Sequence, residues 1–363
     1  MLVFTFIFLF LKNKYFDLFS FTVPQRNITV GNRSSPGTQQ SNFVSILPFS
    51  FFSLLHTVIF DRLCASNASW RTRANTIAGS SNDTDSLSRT NLRNPNDILI
   101  DFDGSLFIAD SNNNRIAYWS VNATEGFIVV GTGAVGSWIN LLKYAAAIVG
   151  KQKTWNDQLI VSDLDNYRVM AFPYRSALNQ INAAYYLCVD TIRQILYLSD
   201  SGNHRILKLN STDYTLQLVV GTGMINSDNV SLNLPLGLAV DEITGALYVA
   251  DSQNHRIQKF DLKSKEGLTV AGGKGSGRGL SQLFLPSGVT IDTAGNIYIA
   301  DTGNHRIIQW LVGADQGRTG ISGNSDIQLN HPVQLKFDRH YHLYVVDRNN
   351  SRIQRFDLSS NGC

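Results

Sequence analysis

The sequence predicts an all-β fold, a β-propeller of six blades, from three observations. One hairpin pattern occurs six times: an alternating apolar run ends on an aspartate, a polar turn follows, and an arginine opens a second β-rich run. Period-two alternation on both sides of a polar turn is typical of a β-hairpin. The six aspartates are 53, 37, 51, 50 and 46 residues apart. A blade of four strands takes about 40–50 residues, so each copy has room for one.

The six copies have the following sequences. They are LFIADSNNNRIAYW from Leu106, LIVSDLDNYRVMAF from Leu159, LYLSDSGNHRILKL from Leu196, LYVADSQNHRIQKF from Leu247, IYIADTGNHRIIQW from Ile297 and LYVVDRNNSRIQRF from Leu343. The fourth unit shows all four strands: an inner strand at 236–241, a second at 247–251, a third at 256–260 and an outer strand at 268–272. A single sheet of this size leaves one apolar face open to water, so we expect the blades to stack in a ring.

Each marker aspartate is followed five residues later by an arginine. A carboxylate at the end of one strand and a guanidinium at the start of the next can meet across the turn. Because a catalytic ion pair would not be needed six times, we interpret the pairs as structural. They are Asp110 and Arg115, Asp163 and Arg168, Asp200 and Arg205, Asp251 and Arg256, Asp301 and Arg306, and Asp347 and Arg352.

The turns resemble those of the NHL-repeat family. The motif stands as NHRI at Asn203, Asn254 and Asn304, and in weaker form at Asn113, Asn166 and Asn350. The resemblance extends from Thr72 to the C-terminus, about four-fifths of the chain. It implies a six-bladed NHL propeller, but the fold alone implies no activity.

The second unit departs from the pattern. Between Phe172 and Leu187 it lacks a TVAG-like strand and a Gly-rich loop, so either the blade has no outer strand or a segment has been lost. Residues 140–150 are also more apolar than expected for a loop followed by an inner strand.

The last unit has no outer strand after it, whereas NTIAG at 75–79 matches that pattern without a blade of its own. We therefore expect this N-terminal strand to complete the sixth blade and close the ring. Cys64 precedes this strand and Cys363 follows the last blade, so a Cys64–Cys363 disulfide is predicted, against the alternative of two unpaired thiols. Cys188 is predicted to be a buried free thiol.

The predicted domains are residues 1–63, with two apolar runs and a flexible linker, and the propeller at 64–363. One run at the N-terminus has about the length of a signal core, and the run at 43–60 could anchor the chain in a membrane; either of the two could be the secretory signal or signal-anchor. Neither has a convincing cleavage site. Predicted glycosylation sites support an extracellular or membrane-anchored location. They are Asn67, Asn82, Asn122, Asn210, Asn229 and Asn349.

The sequence predicts no catalytic residue, metal site or cofactor. His204, His255 and His305 occupy turn tips of three blades, where they should lie far apart rather than converge on zinc. The propeller enzyme peptidyl-α-hydroxyglycine α-amidating lyase places zinc-binding histidines directly after prolines that enter inner strands. None of the corresponding prolines here precedes a histidine, and His331 stands alone before Pro332.

The expected function is therefore a non-catalytic binding scaffold for a protein or glycan. Its ligand face should comprise the turns and the loops 131–138, 221–229, 272–282 and 320–326, with Lys274 and Arg278 as candidates. A net charge of +3 with 16% charged residues argues against nucleic-acid binding. One alternative is an intracellular NHL scaffold for RNA or for ubiquitin-ligase assemblies, although three cysteines cannot build a ligase zinc region. The other is a propeller enzyme of the lyase or lactonase type.

Overall fold

The computed structural model describes residues 7–12, 15–20, 68–80, 88–150, 158–172, 177–179, 184–210, 215–319 and 328–360. The chain divides into two compact units, Met1–Thr57 and Val58–Cys363, a division a few residues before the predicted domain boundary. In the first unit, β1 (Ile7–Lys12) and β2 (Tyr15–Ser20) form an antiparallel hairpin. The apolar run at 43–60 lies outside the described residues. Among the described residues, no helix is long and apolar enough to cross a membrane.

The second unit is a β-propeller of six blades, which confirms the predicted fold class. Two strands precede the first blade, β3 (Ser69–Trp70) and β4 (Asn75–Gly79). Blade 1 contains β5 (Asp97–Ile100), β6 (Leu106–Asp110), β7 (Arg115–Trp119) and β8 (Phe127–Gly131). Blade 2 contains β9 (Ala145–Gly150), β10 (Leu159–Asp163), β11 (Arg168–Phe172) and β12 (Ala177–Asn179). Blade 3 contains β13 (Ala184–Asp190), β14 (Ile195–Asp200), β15 (Arg205–Leu209) and β16 (Leu216–Val220).

The remaining blades follow the same order. Blade 4 contains β17 (Pro235–Val240), β18 (Leu247–Asp251), β19 (Arg256–Phe260) and β20 (Gly267–Gly272). Blade 5 contains β21 (Gly288–Ile291), β22 (Ile297–Asp301) and β23 (Arg306–Trp310), and an isolated bridge joins Gln309 to Arg318. Blade 6 contains β24 (Pro332–Phe337), β25 (Leu343–Asp347) and β26 (Arg352–Phe356), and β27 (Leu358–Ser360) follows it. The first strands of neighbouring blades contact each other around the ring, so they are the inner strands.

A single 3₁₀ turn joins the second and third strand of every blade. The turns are Ser111–Asn113, Leu164–Asn166, Ser201–Asn203, Ser252–Asn254, Thr302–Asn304 and Arg348–Asn350. Each ends on a residue in the left-handed conformation, which turns the chain directly into the next strand.

The ring closes through the N-terminal strand, as the sequence predicts. β4 pairs antiparallel with β26, with Ala78 opposite Ile353, and becomes the outer strand of blade 6. A second pair, β3 with β27, extends this junction beyond the prediction. Blade 6 is thus built from both ends of the propeller sequence.

The second blade is more complete than the sequence suggests. It has an outer strand, β12, which is only three residues long and pairs with β11. Of the two alternatives, the blade without an outer strand is therefore wrong. The sequence pattern does not predict β12, because this strand carries no apolar alternation and is held by backbone pairing. The apolar residues of 145–150 form the buried inner strand of the blade.

The hydrophobic core lies between the blades. Each cluster of buried side chains combines two neighbouring blades, for example Phe107 and Ile116 of blade 1 with Ile148 and Val161 of blade 2. The second strand of every blade is buried along its whole length, except for the half-buried Ile195 at the start of β14, because each of its faces packs against other side chains.

Candidate functional site

The structure brings all six predicted Asp–Arg pairs together. In each blade the arginine Nε lies 2.7 Å from Oδ2 of its aspartate, whose side chain is fully buried. The same carboxylate also accepts a side-chain hydrogen bond from the asparagine three residues later. A shared carboxylate therefore holds both ends of the turn.

These pairs also fix the loops that connect the blades. In blades 1, 2, 4, 5 and 6 the aspartate Oδ1 accepts a backbone N–H from the loop entering that blade; the donors are Arg93, Lys143, Asn233, Phe284 and Asn330. In blade 4, Arg256 then donates to the carbonyl oxygens of Ser227, Asp228 and Ser231. Arg115, Arg168 and Arg306 hold their loops in the same way.

Burial has an electrostatic consequence at three of these pairs. It raises the pKa of the Asp110, Asp251 and Asp301 carboxyls, while the arginine and the amide donors oppose this shift. Each of the six carboxylates is fully buried and accepts hydrogen bonds from its arginine and its asparagine, so the turn is held rigidly.

The three NHR histidines join neighbouring blades through hydrogen bonds. Nδ1 of His204, His255 and His305 accepts the backbone N–H of the residue that precedes the proline at, or shortly before, the start of the next inner strand. The donors are Leu234, Leu285 and His331, all with positive φ. In blade 1 the equivalent Asn114 accepts the N–H of Tyr144. Across the described ranges, no three His, Cys, Asp or Glu side chains are placed to hold a metal ion.

Two histidines at these contacts have lowered pKa values: His255, whose Nδ1 is an acceptor, and His331, whose backbone N–H donates to His305. Burial lowers the pKa of His255. Burial also lowers the pKa of His331, as do the nearby His305 and Arg348. An Nδ1 that accepts an amide N–H must be unprotonated, which agrees with the direction of the shift at His255.

The turns and the inter-blade loops form one face, which we call the loop face. Exposed apolar side chains project from three of its loops, and we call this set the apolar rim. It comprises Val135, Trp138, Ile139, Met224, Ile225, Leu280 and Phe284. Trp138 is 77% exposed. Sequence reasoning placed the loops on this face but did not identify these side chains.

The loops that carry the apolar rim share one geometry. Parallel bridges join Val135 to Leu142 and Ile225 to Leu232. The leucine of each bridge is completely buried, whereas its partner projects outward. A buried leucine and an arginine that donates to backbone carbonyl oxygens therefore hold the backbone of both loops in place.

The predicted ligand-face cations also lie on this face. Lys274 and Arg278 are exposed on the loop between blades 4 and 5, and the carbonyl oxygen of Arg278 accepts a hydrogen bond from Arg306. The predicted ligand loop 320–326 lies outside the described residues.

The axis of the ring is occupied by paired polar groups. Lys336 Nζ lies 2.8 Å from the Asp97 carboxylate. The Tyr186 hydroxyl of blade 3 donates to the carbonyl oxygen of Val333 in blade 6, so its side chain bridges opposite sides of the ring. Burial raises the pKa of Tyr186. Cys188 is a free, half-buried thiol, and burial raises its pKa to about 12, so it is a poor nucleophile.

The predicted modification sites fall partly within the described residues. Asn122, Asn229 and Asn349 are exposed, and Asn210 is half-buried. Asn67, Asn82 and both cysteines of the predicted disulfide, Cys64 and Cys363, lie outside the described residues.

Sequence comparison finds relatives of the repeat. The family described as NHL repeat matches residues 232–260 and 285–310. NHL repeat-containing protein 2 of Homo sapiens is 37% identical over 82 residues, which make up 21% of this chain and 11% of that protein. Protein SUPPRESSOR OF QUENCHING 1, chloroplastic, of Arabidopsis thaliana is 37% identical over 76 residues, 20% of this chain and 7% of that protein. The chain thus matches only a small part of the length of these relatives.

Structural comparison finds the same architecture in distant proteins. An auxiliary nutrient binding protein of Bacteroides ovatus superposes with a TM-score of 0.59 at 14% identity, covering 81% of this chain and 77% of that chain. A catalytically inactive virginiamycin B lyase of Staphylococcus aureus gives a TM-score of 0.50 at 11% identity, covering 76% and 83%. At these identities the likeness concerns the fold alone.

Proposed function

The chain is an NHL-repeat protein folded as a six-bladed β-propeller, and from this premise we propose that it is a non-catalytic scaffold that binds a protein partner through its loop face. The apolar rim is the observation that carries this proposal. Trp138, Met224 and Ile225 expose apolar surface that has no role in the core. Exposed apolar side chains of this kind mark protein interfaces, and tryptophan is enriched among the residues that dominate binding energy.

The rigidity of the loops supports the same proposal. Arg168 donates to the carbonyl oxygens of Ser137, Trp138 and Leu141, so three hydrogen bonds fix the backbone of the loop that carries Trp138. A preformed loop loses little conformational entropy on binding, and more of the contact energy remains as affinity.

We place the propeller outside the cell, either secreted or anchored to a membrane. The exposed Asn122, Asn229 and Asn349 support this location because a glycan could be attached there without disturbing the core. The auxiliary nutrient binding proteins of Bacteroides share the fold, and their name describes a binding role, which is compatible with a non-catalytic role for this chain.

Site-specific photo-crosslinking tests the proposal. Benzoylphenylalanine is introduced at Trp138 or Met224 in the full chain, expressed in secreting eukaryotic cells, and irradiated. The control position is Val312, which is equally exposed but lies on a turn at the other end of the blades. We expect discrete protein crosslinks from the two loop-face positions and none from position 312.

Three outcomes would contradict the proposal: crosslinks absent from both loop-face positions, crosslinks equal at all three positions, or crosslinks only to nucleic acid. The location is tested on the same samples. An endoglycosidase shift of the exported chain is expected, and it should become smaller when Asn122, Asn229 and Asn349 are all changed to Gln, because Asn67, Asn82 and Asn210 keep their acceptor sequences. An unglycosylated chain retained in the cytosol would overturn the location.

A further inference from the structure

The loop-face end of the ring axis carries a cation that does not follow from the repeat. The residue directly after the marker aspartate is a serine or threonine in blades 1, 3, 4 and 5. In three of these blades its hydroxyl donates to the first carbonyl oxygen of the next inner strand. Blade 6 has Arg348 at this position. Its side chain reaches past blade 1 to Tyr144, the residue before the inner strand of blade 2.

The contact between Arg348 and Tyr144 leaves hydrogen-bond donors unused. Nη2 of Arg348 donates to the Tyr144 hydroxyl, and the guanidinium Cζ lies 5.9 Å from the centroid of the same ring. Within the described residues, Arg348 forms no ion pair with a carboxylate, and the hydroxyl hydrogen of Tyr144 has no acceptor. Burial raises the pKa of Tyr144, so this hydroxyl keeps its proton at neutral pH. Neighbouring unused donors of this kind favour an anion.

Aromatic side chains surround this pair of donors. Tyr186 is fully buried, and its hydroxyl donates across the ring to Val333, the second residue of the inner strand of blade 6. The Arg348 charge acts on the pKa of Tyr186 and of His331, although burial is the larger cause at both, so the guanidinium lies near both rings. Because Tyr186 crosses the axis, a ligand can reach Arg348 only from the loop face. We call this site the axial mouth; it comprises Tyr144, Tyr185, Tyr186, His331 and Arg348.

The axial mouth carries a single positive charge. Burial lowers the pKa of His331, so this imidazole is neutral at neutral pH. Nδ1 of His305 accepts the backbone N–H of His331, which requires a neutral ring there as well. The charge of Lys336, further along the axis, is already paired with Asp97. Arg348 therefore matches one negative charge, and the second charge of a phosphate would have no counterpart.

We infer that the axial mouth binds a ligand through one carboxylate group, whose oxygens accept hydrogen bonds from Arg348 and from the Tyr144 hydroxyl. A planar carboxylate fits the planar donor fork of an arginine, and its single charge equals that of the site. The ring of Tyr186 favours an apolar group beside the carboxylate. The inference goes beyond the proposed function and does not depend on it, because the axial mouth and the apolar rim share no residue.

Isothermal titration calorimetry of the full chain with benzoate tests this inference. Benzamide has a similar shape without the charge, and phenyl phosphate carries a second charge. We expect benzoate to bind saturably, benzamide to bind at least about tenfold more weakly, and phenyl phosphate to bind no more tightly than benzoate. Arg348→Ser should weaken benzoate binding about tenfold or more, and Tyr144→Phe about fivefold. Serine stands at the position of Arg348 in three other blades, so Arg348→Ser should keep the fold.

The matched control, Arg71→Ser, removes an exposed arginine elsewhere and should leave the affinity for benzoate within about twofold. The inference is overturned if benzoate does not bind saturably, if benzamide binds equally well, or if phenyl phosphate binds more tightly. It is also overturned if Arg71→Ser and Arg348→Ser lose the same affinity. Benzoate binding is measured without a protein partner, so its failure is distinct from a loss of photo-crosslinks at Trp138.

A pentapeptide of four alanines and a C-terminal phenylalanine distinguishes the two sources of a carboxylate. If its free-acid form binds as tightly as benzoate and its amidated form does not, the axial mouth receives the chain end of a partner. If the free-acid form binds at least about tenfold more weakly than benzoate, the ligand is a small molecule. In both cases the binding that remains should be lost in Arg348→Ser, and binding that persists in this variant would overturn the inference.

Discussion

Single residues of the repeat differ in burial although their geometry is constant, and this predicts unequal contributions to stability. The Arg115 side chain is 1% exposed, whereas that of Arg205 is 37% exposed. Removing one member of a buried ion pair leaves an uncompensated charge, so Arg115→Ala should lower the free energy of unfolding by about 3–5 kcal/mol. Water reaches the pair in blade 3, so Arg205→Ala should cost about 1–2 kcal/mol.

Urea denaturation followed by tryptophan fluorescence measures both losses. Arg71→Ala, which truncates an exposed arginine, serves as the reference and should be nearly neutral. Equal losses for Arg115 and Arg205 would contradict the role assigned to burial.

A second prediction at this scale concerns the pH dependence of stability. Burial lowers the pKa of His255 in the folded state, so the unfolded chain binds a proton there more readily. Since the unfolded state takes up more protons below about pH 6.5, stability should be greatest above that pH and fall as the pH is lowered toward the folded pKa. His331 has the same direction of shift and adds to the effect.

The variant His255→Asn tests this explanation. Asn114 of blade 1 occupies the equivalent position and accepts the same type of amide hydrogen bond without titrating. The variant should keep its stability near pH 7.5 and lose less of it on acidification to about pH 5.5, as measured by thermal unfolding. An unchanged slope in His255→Asn would refute the assignment.

At the scale of elements, four outer strands have a glycine as their last residue or directly after it, for a steric reason. The four residues concerned are Gly79, Gly131, Gly221 and Gly272, all with φ between +70° and +90°. A Cβ at any of them would lie 2.2–2.6 Å from a backbone carbonyl oxygen of the neighbouring turn. Only glycine allows the strand to pass this close to the turn.

This close approach predicts a large effect for Gly79→Ala. Gly313 also has positive φ, but no atom lies within 4 Å of its Cβ position, so Gly313→Ala should cost only the conformational penalty of about 1–2 kcal/mol. Gly79→Ala adds a clash with the carbonyl oxygen of Ser351 and should displace β4 from blade 6. The amides of 352–356 should then exchange faster with deuterium. If the two variants unfold at the same temperature, the steric explanation fails.

The same scale shows which features a sequence can predict. The six hairpins and the closing strand are visible because alternating side chains determine their pairing. β12 is not visible, since Ala177–Asn179 is short and is held by backbone atoms. The sequence does not predict the hydrogen bonds from the arginines to the inter-blade loops either. The acceptors of Arg256 are backbone carbonyl oxygens, which every residue possesses. The sequence does not predict the apolar rim, because the exposed Val135 and the buried Leu142 are both aliphatic and their sequence context does not tell them apart.

At the scale of the whole molecule, closure of the ring depends on a segment far from the last blade in sequence. The Trp70 indole donates to the carbonyl oxygen of Tyr341 and packs edge-on against Tyr298. A chain starting at residue 81 would lose β3 and β4 and expose the edge of β26, so it should unfold at a lower temperature and self-associate. A chain starting at residue 58 retains both strands and should match the propeller in the full chain. Equal stability and equal monomer content, measured by calorimetry and light scattering, would show that closure contributes nothing.

The predicted Cys64–Cys363 disulfide would make this closure covalent. Both cysteines lie outside the described residues, but β3 and β27 pair antiparallel with Ser69 opposite Ser360. The segment that leads to Cys64 and the segment that leads to Cys363 therefore both start from the same end of this pair. By the loop-entropy argument, a bridge across so long a loop should contribute on the order of 4–5 kcal/mol. Reductant should therefore lower the unfolding temperature of the full chain secreted from eukaryotic cells.

Two cysteine variants distinguish this bridge from other effects of reductant. Cys363→Ser should show the lower unfolding temperature in both the presence and the absence of reductant, because it has no bridge to lose. Cys188→Ser should remain sensitive, since Cys188 is a free thiol of the inner strand of blade 3. Alkylation of the unfolded, unreduced chain should modify one cysteine of the three in the sequence. Modification of all three would disprove the bridge and leave closure of the ring to β-strand pairing alone.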